Sequence, residues 1–128
     1  NSMKIIIFFI VVLIVIIGMG IFFQNMLGRE SQEMIKDLEY LAIQIQNDSW
    51  EEAEGDWSEI EDRWKHLRRK WHALSDHLEI ARVDESLTRL GALLHLKESE
   101  DCLVEIAVLK QNILYIPDKE KLTLSNIF

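Results

Sequence analysis

Four histidines are the first candidates for chemistry, because imidazole binds zinc and exchanges protons near neutral pH. They are His66, His72, His77 and His95. His72 and Asp76 are four residues apart, so a helix would present both on one face. A zinc site needs three or four converging ligands, and His77 would point elsewhere if the helix continued through it. We therefore predict no metal site and interpret these side chains as capping and surface hydrogen-bonding groups.

Paired carboxylates and the single cysteine are the next candidates. Glu51–Glu52 and Glu100–Asp101 are adjacent pairs, and a helix separates adjacent side chains by about 100°. General acid–base catalysis needs groups that reach the same substrate atoms. Cys102 lies on an apolar helical stripe, where a free cysteine usually packs as a small core residue, with a redox or lipidation role as the alternative. We predict that the protein is not an enzyme and that it holds no cofactor.

The tryptophans form the most regular pattern in the chain, since apolar residues around them alternate between spacings of three and four. The seam consists of Trp50, Ala53, Trp57, Ile60, Trp64, Leu67, Trp71 and Leu74. This spacing is typical of a heptad seam, and each buried tryptophan removes about 150–250 Å² from water. We predict that the seam is the core of a helical bundle. Stacked aromatics also bind sugars and cations, so an exposed ligand or partner face is the alternative.

A hydrophobic run near the N-terminus sets the class of protein. Ile5–Phe23 contains 19 residues and no charge, and a bilayer core of about 30 Å needs roughly 20 helical residues. A cleaved secretory signal is the alternative, with Lys4 as its charged start and Gly18-Met19-Gly20 as a small-residue site. Cleavage there would leave apolar residues at the new terminus. We therefore predict an uncleaved signal anchor over residues 3–27.

The orientation of the anchor depends on the charges that flank it. Lys4 and the amino group precede the run, whereas Arg29 and Lys36 follow it, so the positive-inside rule is nearly balanced. A short polar start before a long apolar run is the usual form of a signal anchor. We predict a single-pass protein of the cell membrane with a cytoplasmic N-terminus and an extracytoplasmic bundle. Met3 is taken as the natural start, so Asn1 and Ser2 are interpreted as a cloning remnant.

The remaining chain repeats apolar residues every three or four positions, which predicts helices. We expect four of them, over residues 24 or 30 to 46, 50–74, 78–96 and 100–115. Short connections favour antiparallel neighbours, so the prediction is all-α: a transmembrane helix and an antiparallel up-down-up-down bundle over residues 28–128. The expected hinge is Asn25–Gly28, and Pro117 is expected to end the last helix. The apolar residues after it are expected to dock on the bundle; they are Leu122, Leu124, Ile127 and Phe128.

Charge excludes one class of partner and favours another. Lys4 is the only charged side chain before Gln24, so the rest carries 13 Lys or Arg and 22 Asp or Glu, a formal charge of −9. Nucleic-acid binding relies on basic residues, so we expect no nucleic-acid partner. Basic residues near the end of the second helix would return to the membrane in an antiparallel bundle and could contact lipid headgroups. They are Arg63, Lys65, Arg68, Arg69 and Lys70. The alternative is that they complement the helix dipole and neighbouring acids.

Three features together resemble a known family: the Trp- and His-rich second helix, the Asp76-His77-Leu78-Glu79 junction and the Leu124–Phe128 ending. The chain resembles a domain-of-unknown-function family of small single-span helical membrane proteins from Gram-positive spore-forming bacteria. Members are often encoded beside multi-span membrane proteins, so the resemblance implies a protein partner in the membrane. We expect a non-enzymatic interaction module, with self-association into a homo-oligomer left open. The alternative is a sensory or ligand-binding bundle that signals through a partner.

Overall fold

The residues that the structure describes form four helices. The computed structural model describes the backbone of residues 1–72 and 77–127, and the side chains of these ranges except Leu27 and residues 116–127. In chain order the helices are α1 (Ser2–Gln46), α2 (Trp50–His72), α3 (His77–His95) and α4 (Ser99–Ile127). The described residues contain no strand, so the all-α prediction with four helices is confirmed.

The first helix corrects the expected hinge. α1 runs without a break through Asn25–Gly28, because a single glycine inside a helix costs only about 1 kcal/mol relative to alanine and removes no hydrogen bond. At 1.5 Å per residue, its 45 residues extend about 68 Å. It is the one described helix long and apolar enough to cross a membrane, and its apolar window is not buried by the rest of the chain. The burial of α1 begins at Ser31 and continues through Met34, Ile35, Leu38, Leu41 and Ile45.

Two connections share one backbone geometry. After α1, Ser49 N–H donates to Gln44 O at 2.9 Å and Asp48 N–H donates to Ile45 O at 3.1 Å. After α3, Glu98 and Lys97 repeat these bonds with Leu93 and Leu94. Asp48 and Lys97 adopt positive φ angles of 57° and 56°, as this helix-ending motif requires. Both connections therefore turn the chain sharply and bring consecutive helices side by side.

Contacts between helices link α1 to α2, α2 to α3, α3 to α4 and α4 to α1. Along α1 and α2, Asp37 pairs with Arg63 and Glu30 with Lys70; because the order reverses, these two helices are antiparallel. The enclosed core contains side chains from all four helices, among them Leu38, Trp64, Leu90 and Leu109.

The last helix corrects a second expectation. α4 continues through Pro117 to Ile127, since proline removes one backbone donor while the other helical hydrogen bonds on either side can still form. The backbone of Leu122, Leu124 and Ile127 therefore belongs to a helix rather than to a separate tail. The side chains of Leu122, Leu124 and Ile127, and all of Phe128, lie outside the described residues, as does Leu74 of the seam.

Candidate functional site

The tryptophan seam lies mainly inside the bundle. Ile60, Trp64, Leu67 and Trp71 are buried, and the Trp64 and Trp71 rings meet edge to face with centroids 5.3 Å apart. Trp50 and Trp57 are half-buried against the same core. The aromatic surface of the described seam is therefore mostly occupied by packing, which leaves little of it for a ligand.

Two tryptophans also hold α3 by hydrogen bonds. The Trp57 indole N–H donates to Leu87 O at 2.9 Å. The Trp64 indole N–H donates to Asp84 Oδ1 at 2.6 Å, while Arg68 Nη2 lies 3.0 Å from Asp84 Oδ2. Partly buried indole groups normally find such partners, and here they fix α2 and α3 in register.

The histidines come together only as a pair. His72 and His77 lie on either side of the connection between α2 and α3, with their Nδ1 atoms 3.0 Å apart. The expectation that His77 would point elsewhere applied to a helix that continues through it, and α3 instead begins at His77. Arg68 Nη2 lies 3.4 Å from His72 Nε2, and the positive charge of this guanidinium would repel a metal ion bound to the histidine pair. Across the described residues, no group of three or more His, Cys, Asp or Glu could hold a metal.

Cys102 is fully buried in the core. Burial raises the pKa of its thiol to about 11, with smaller contributions from the negative charges of Asp101 and Glu98. Because the thiolate is the reactive form, this side chain is held as an unreactive thiol at neutral pH.

Most of the basic residues expected at lipid headgroups pair with acids of the bundle. Arg63 pairs with Asp37, Arg68 with Asp84 at 3.0 Å, and Lys70 with Glu30 at 3.4 Å. Lys65 pairs with Glu61 at 3.3 Å on the same helix. Arg69, in contrast, is exposed and forms no ion pair within the described part of the chain.

The outer face of α4 is the feature that sequence reasoning missed. Its exposed positions between residues 104 and 115 are Val104, Ala107, Val108, Gln111 and Tyr115. None of them is charged, and Val104, Val108 and Tyr115 remain 63%, 42% and 50% exposed. The spacing of four, three and four places Val104, Val108, Gln111 and Tyr115 in one stripe about 16 Å long. We call these five residues the α4 face.

The contrast with α2 shows that the α4 face is unusual for this protein. Nine of the twelve exposed positions of α2 carry a charge, as expected for a helix face kept in water. The chain as a whole is 28% charged, yet the α4 face has no charge over three helical turns. An exposed apolar patch of this kind marks a contact with a protein or a membrane.

Polar contacts on both flanks fix the rotation of α4. On one flank the buried Glu105 accepts from the Ser86 hydroxyl at 2.6 Å and from Arg89 at 2.9 Å, both on α3. On the other flank Lys110 lies 3.6 Å from Glu39 of α1. Since a buried carboxylate is costly without partners, α4 cannot rotate to hide Val104 and Val108.

Comparison with known proteins gives a family and no activity. A family model described as Domain of unknown function (DUF4363) matches residues 21–127. No curated protein and no solved structure matches the chain. The matched range begins near the end of the apolar run and contains α2, α3, α4 and the part of α1 that packs against them.

Proposed function

We propose that this chain is a membrane-anchored interaction module without enzymatic activity. The chain belongs to the family of the domain of unknown function DUF4363, because the family match covers most of its length. In this proposal Ile5–Phe23 crosses the cell membrane once, with the N-terminus in the cytoplasm and the bundle outside. The helices form an up-down-up-down bundle, and a helix of a membrane protein docks on the α4 face.

The α4 face is the observation that carries the proposal. Its apolar side chains lie on a helix held by Glu105 and Lys110, so the surface is preformed. A partner helix can bury Val104, Val108 and Tyr115 without leaving a charge unpaired, which would otherwise be costly. Ile43 of α1 is also 52% exposed and, because Glu39 pairs with Lys110, lies at about the level of residue 106. It can extend the apolar surface beside α4.

The anchor explains why the partner would be a membrane protein. α1 passes from its apolar window into the bundle as one helix, so the span and the core of the bundle move together. Confinement to the membrane raises the effective concentration of one membrane protein for another. A surface of only a few apolar residues is small for a stable soluble complex, and it becomes sufficient when both partners are held at the same membrane.

Site-specific photocrosslinking in native membranes tests the proposal. A photoreactive amino acid replaces Val108 in the full chain, and a matched control replaces Asp62 on the charged outer face of α2. The proposal predicts an adduct with a distinct membrane protein from position 108 and none from position 62.

Three results would count against the proposal. Equal adducts from both positions, or no adduct from position 108, would remove the α4 face as a docking surface. An adduct of twice the mass of the chain would show self-association, and would replace the membrane-protein partner with a second copy.

A further inference from the structure

The fold separates the charges of the chain along the bundle. Among the described residues, the half of the bundle next to the span consists of residues 24–36, 64–72, 77–84 and 113–115. It contains 7 basic and 4 acidic residues, whereas the far half, residues 37–63 and 85–112, holds 4 basic and 15 acidic residues. A domain with a formal charge of −9 thus presents a net positive end toward the span.

Three arginines at this end are free to bind something outside the bundle. Arg29, Arg69 and Arg82 are exposed, and none has an ion pair within the described residues. Most nearby acids are already engaged: Glu30 pairs with Lys70, Asp84 pairs with Arg68, and Glu79 is buried. Of the residues that the structure describes, Glu33 is the acid that remains exposed at this level. The free surface charge of the described part of this end is therefore positive.

The helix register gives the distance of these arginines from the apolar run. Lys70 pairs with Glu30, so Arg69 lies at about the level of residue 31. Asp84 bonds both Trp64 and Arg68, so Arg82 lies beside residue 68, close to that same level. Arg29 is six residues beyond Phe23. At 1.5 Å per residue, all three lie about 9–14 Å beyond the end of the run.

That distance matches the reach of a charged membrane surface. Headgroups extend about 5–8 Å beyond the hydrocarbon core, and charges interact over roughly a further 8 Å at physiological salt. Asp37, the first acid of the far half on α1, lies about 21 Å beyond Phe23. The arginines are therefore within range of lipid phosphates, whereas most of the acidic residues are not.

We propose that Arg29, Arg69 and Arg82 bind the headgroups of anionic phospholipids and hold the bundle upright on the bilayer that its own span crosses. This inference rests on the proposed membrane crossing by Ile5–Phe23, and it is independent of the α4 face. A basic residue near an anionic membrane surface is attracted to it, and salt weakens this attraction. Because only the folded bundle places Arg69 and Arg82 beside Arg29, anionic lipid stabilises the fold by binding it preferentially.

The test uses the full chain in lipid nanodiscs of phosphatidylcholine alone, or of phosphatidylcholine mixed with phosphatidylglycerol. Thermal unfolding is followed by tryptophan fluorescence, which reports the bundle because all four tryptophans lie between residues 50 and 71. We expect the midpoint to be higher in the anionic discs, by on the order of 5–10 °C at low salt, and this difference to disappear at high salt. Arg69→Glu and Arg82→Glu together should remove most of it.

Lys97→Glu is the matched control, because Lys97 is exposed at the far end of the bundle. It should leave the lipid difference unchanged, and each variant should unfold near the wild-type midpoint in neutral discs. Equal wild-type midpoints in the two lipids, or a difference that Arg69→Glu and Arg82→Glu leave intact, would overturn the inference. A chain that does not enter discs at all would overturn the membrane span itself, which separates the two failures.

Discussion

The indole ring of Trp57 lies where a side chain on Gly91 would stand: a Cβ added to Gly91 would be 2.4 Å from Cζ2 of that ring. The same indole donates to Leu87 O at 2.9 Å, the carbonyl one helical turn before Gly91. Glycine in the middle of a helix is normally unfavourable. Gly91 is nevertheless explained, because the Trp57 ring of α2 packs so close to α3 that only a residue without a side chain fits there.

Gly91→Ala should therefore destabilise the bundle. The added methyl group must displace the Trp57 ring, at a cost of about 1–3 kcal/mol, and the better helix propensity of alanine returns at most about 1 kcal/mol. Gly55→Ala is the matched control, because Gly55 is exposed in α2 and has nothing within 4 Å of its Cβ position. Denaturant unfolding should show a loss for Gly91→Ala and a gain of about 0.5–1 kcal/mol for Gly55→Ala; a gain for both would contradict the packing described.

Trp64→Ala should cost about 3–5 kcal/mol of unfolding free energy, the usual range for removing a buried large aromatic. Trp64 is 2% exposed, contacts Trp71 and bonds Asp84. Trp50→Ala should cost less, because Trp50 is half-buried at the start of α2. If Trp64→Ala lost under about 1 kcal/mol, as surface substitutions do, the seam would be better explained as a platform for a ligand.

Cys102 should react slowly with iodoacetamide while the protein is folded. Burial raises its pKa to about 11, so very little thiolate is present at pH 8, and access is blocked as well. Mass spectrometry should find fast modification after unfolding in urea and slow modification before it. Rapid modification of the native protein would show an accessible, low-pKa thiol and would reopen a redox role.

The proposed topology makes a separate prediction. A reporter that is active only in the cytoplasm, fused after Phe128, should remain silent, because the proposed single crossing by Ile5–Phe23 places the bundle outside. The same reporter fused before Met3 is the control and should be active. Activity from the C-terminal fusion would place the bundle in the cytoplasm.

The sequence predicted the number of helices because a spacing of three and four can be read residue by residue. It placed α2 and α3 within two residues of their ends, since polar turn residues lie there. It was wrong about Asn25–Gly28 and Pro117, where a local helix breaker is overridden by the hydrogen bonds of a long helix. The helix-breaking tendency of a single residue does not reveal whether the helical turns on either side are stable enough for the helix to continue through it.

The α4 face could not be predicted in the same way. The spacing of apolar residues predicts that Leu103, Ile106, Leu109 and Ile113 form the inward stripe of α4. In the structure Cys102 is fully buried, whereas Leu103 is half-buried. Val104 and Val108 are apolar residues beside that stripe, and a periodic pattern cannot tell whether a neighbouring helix covers them. Their exposure depends on the positions of α1 and α3, which Glu39 and Glu105 set through their contacts with α4.

The size of the complex in gently solubilised native membranes tests the central claim most directly. Wild-type chain, Val108→Lys and the matched control Asp62→Lys are compared by native gel electrophoresis followed by detection of the chain. A charge at residue 108 places an unpaired lysine in the proposed contact, whereas residue 62 lies on an already charged surface. The account predicts a large complex for the wild type and Asp62→Lys, and its loss for Val108→Lys with the chain still folded in the membrane. A complex of unchanged size in Val108→Lys would contradict docking on the α4 face.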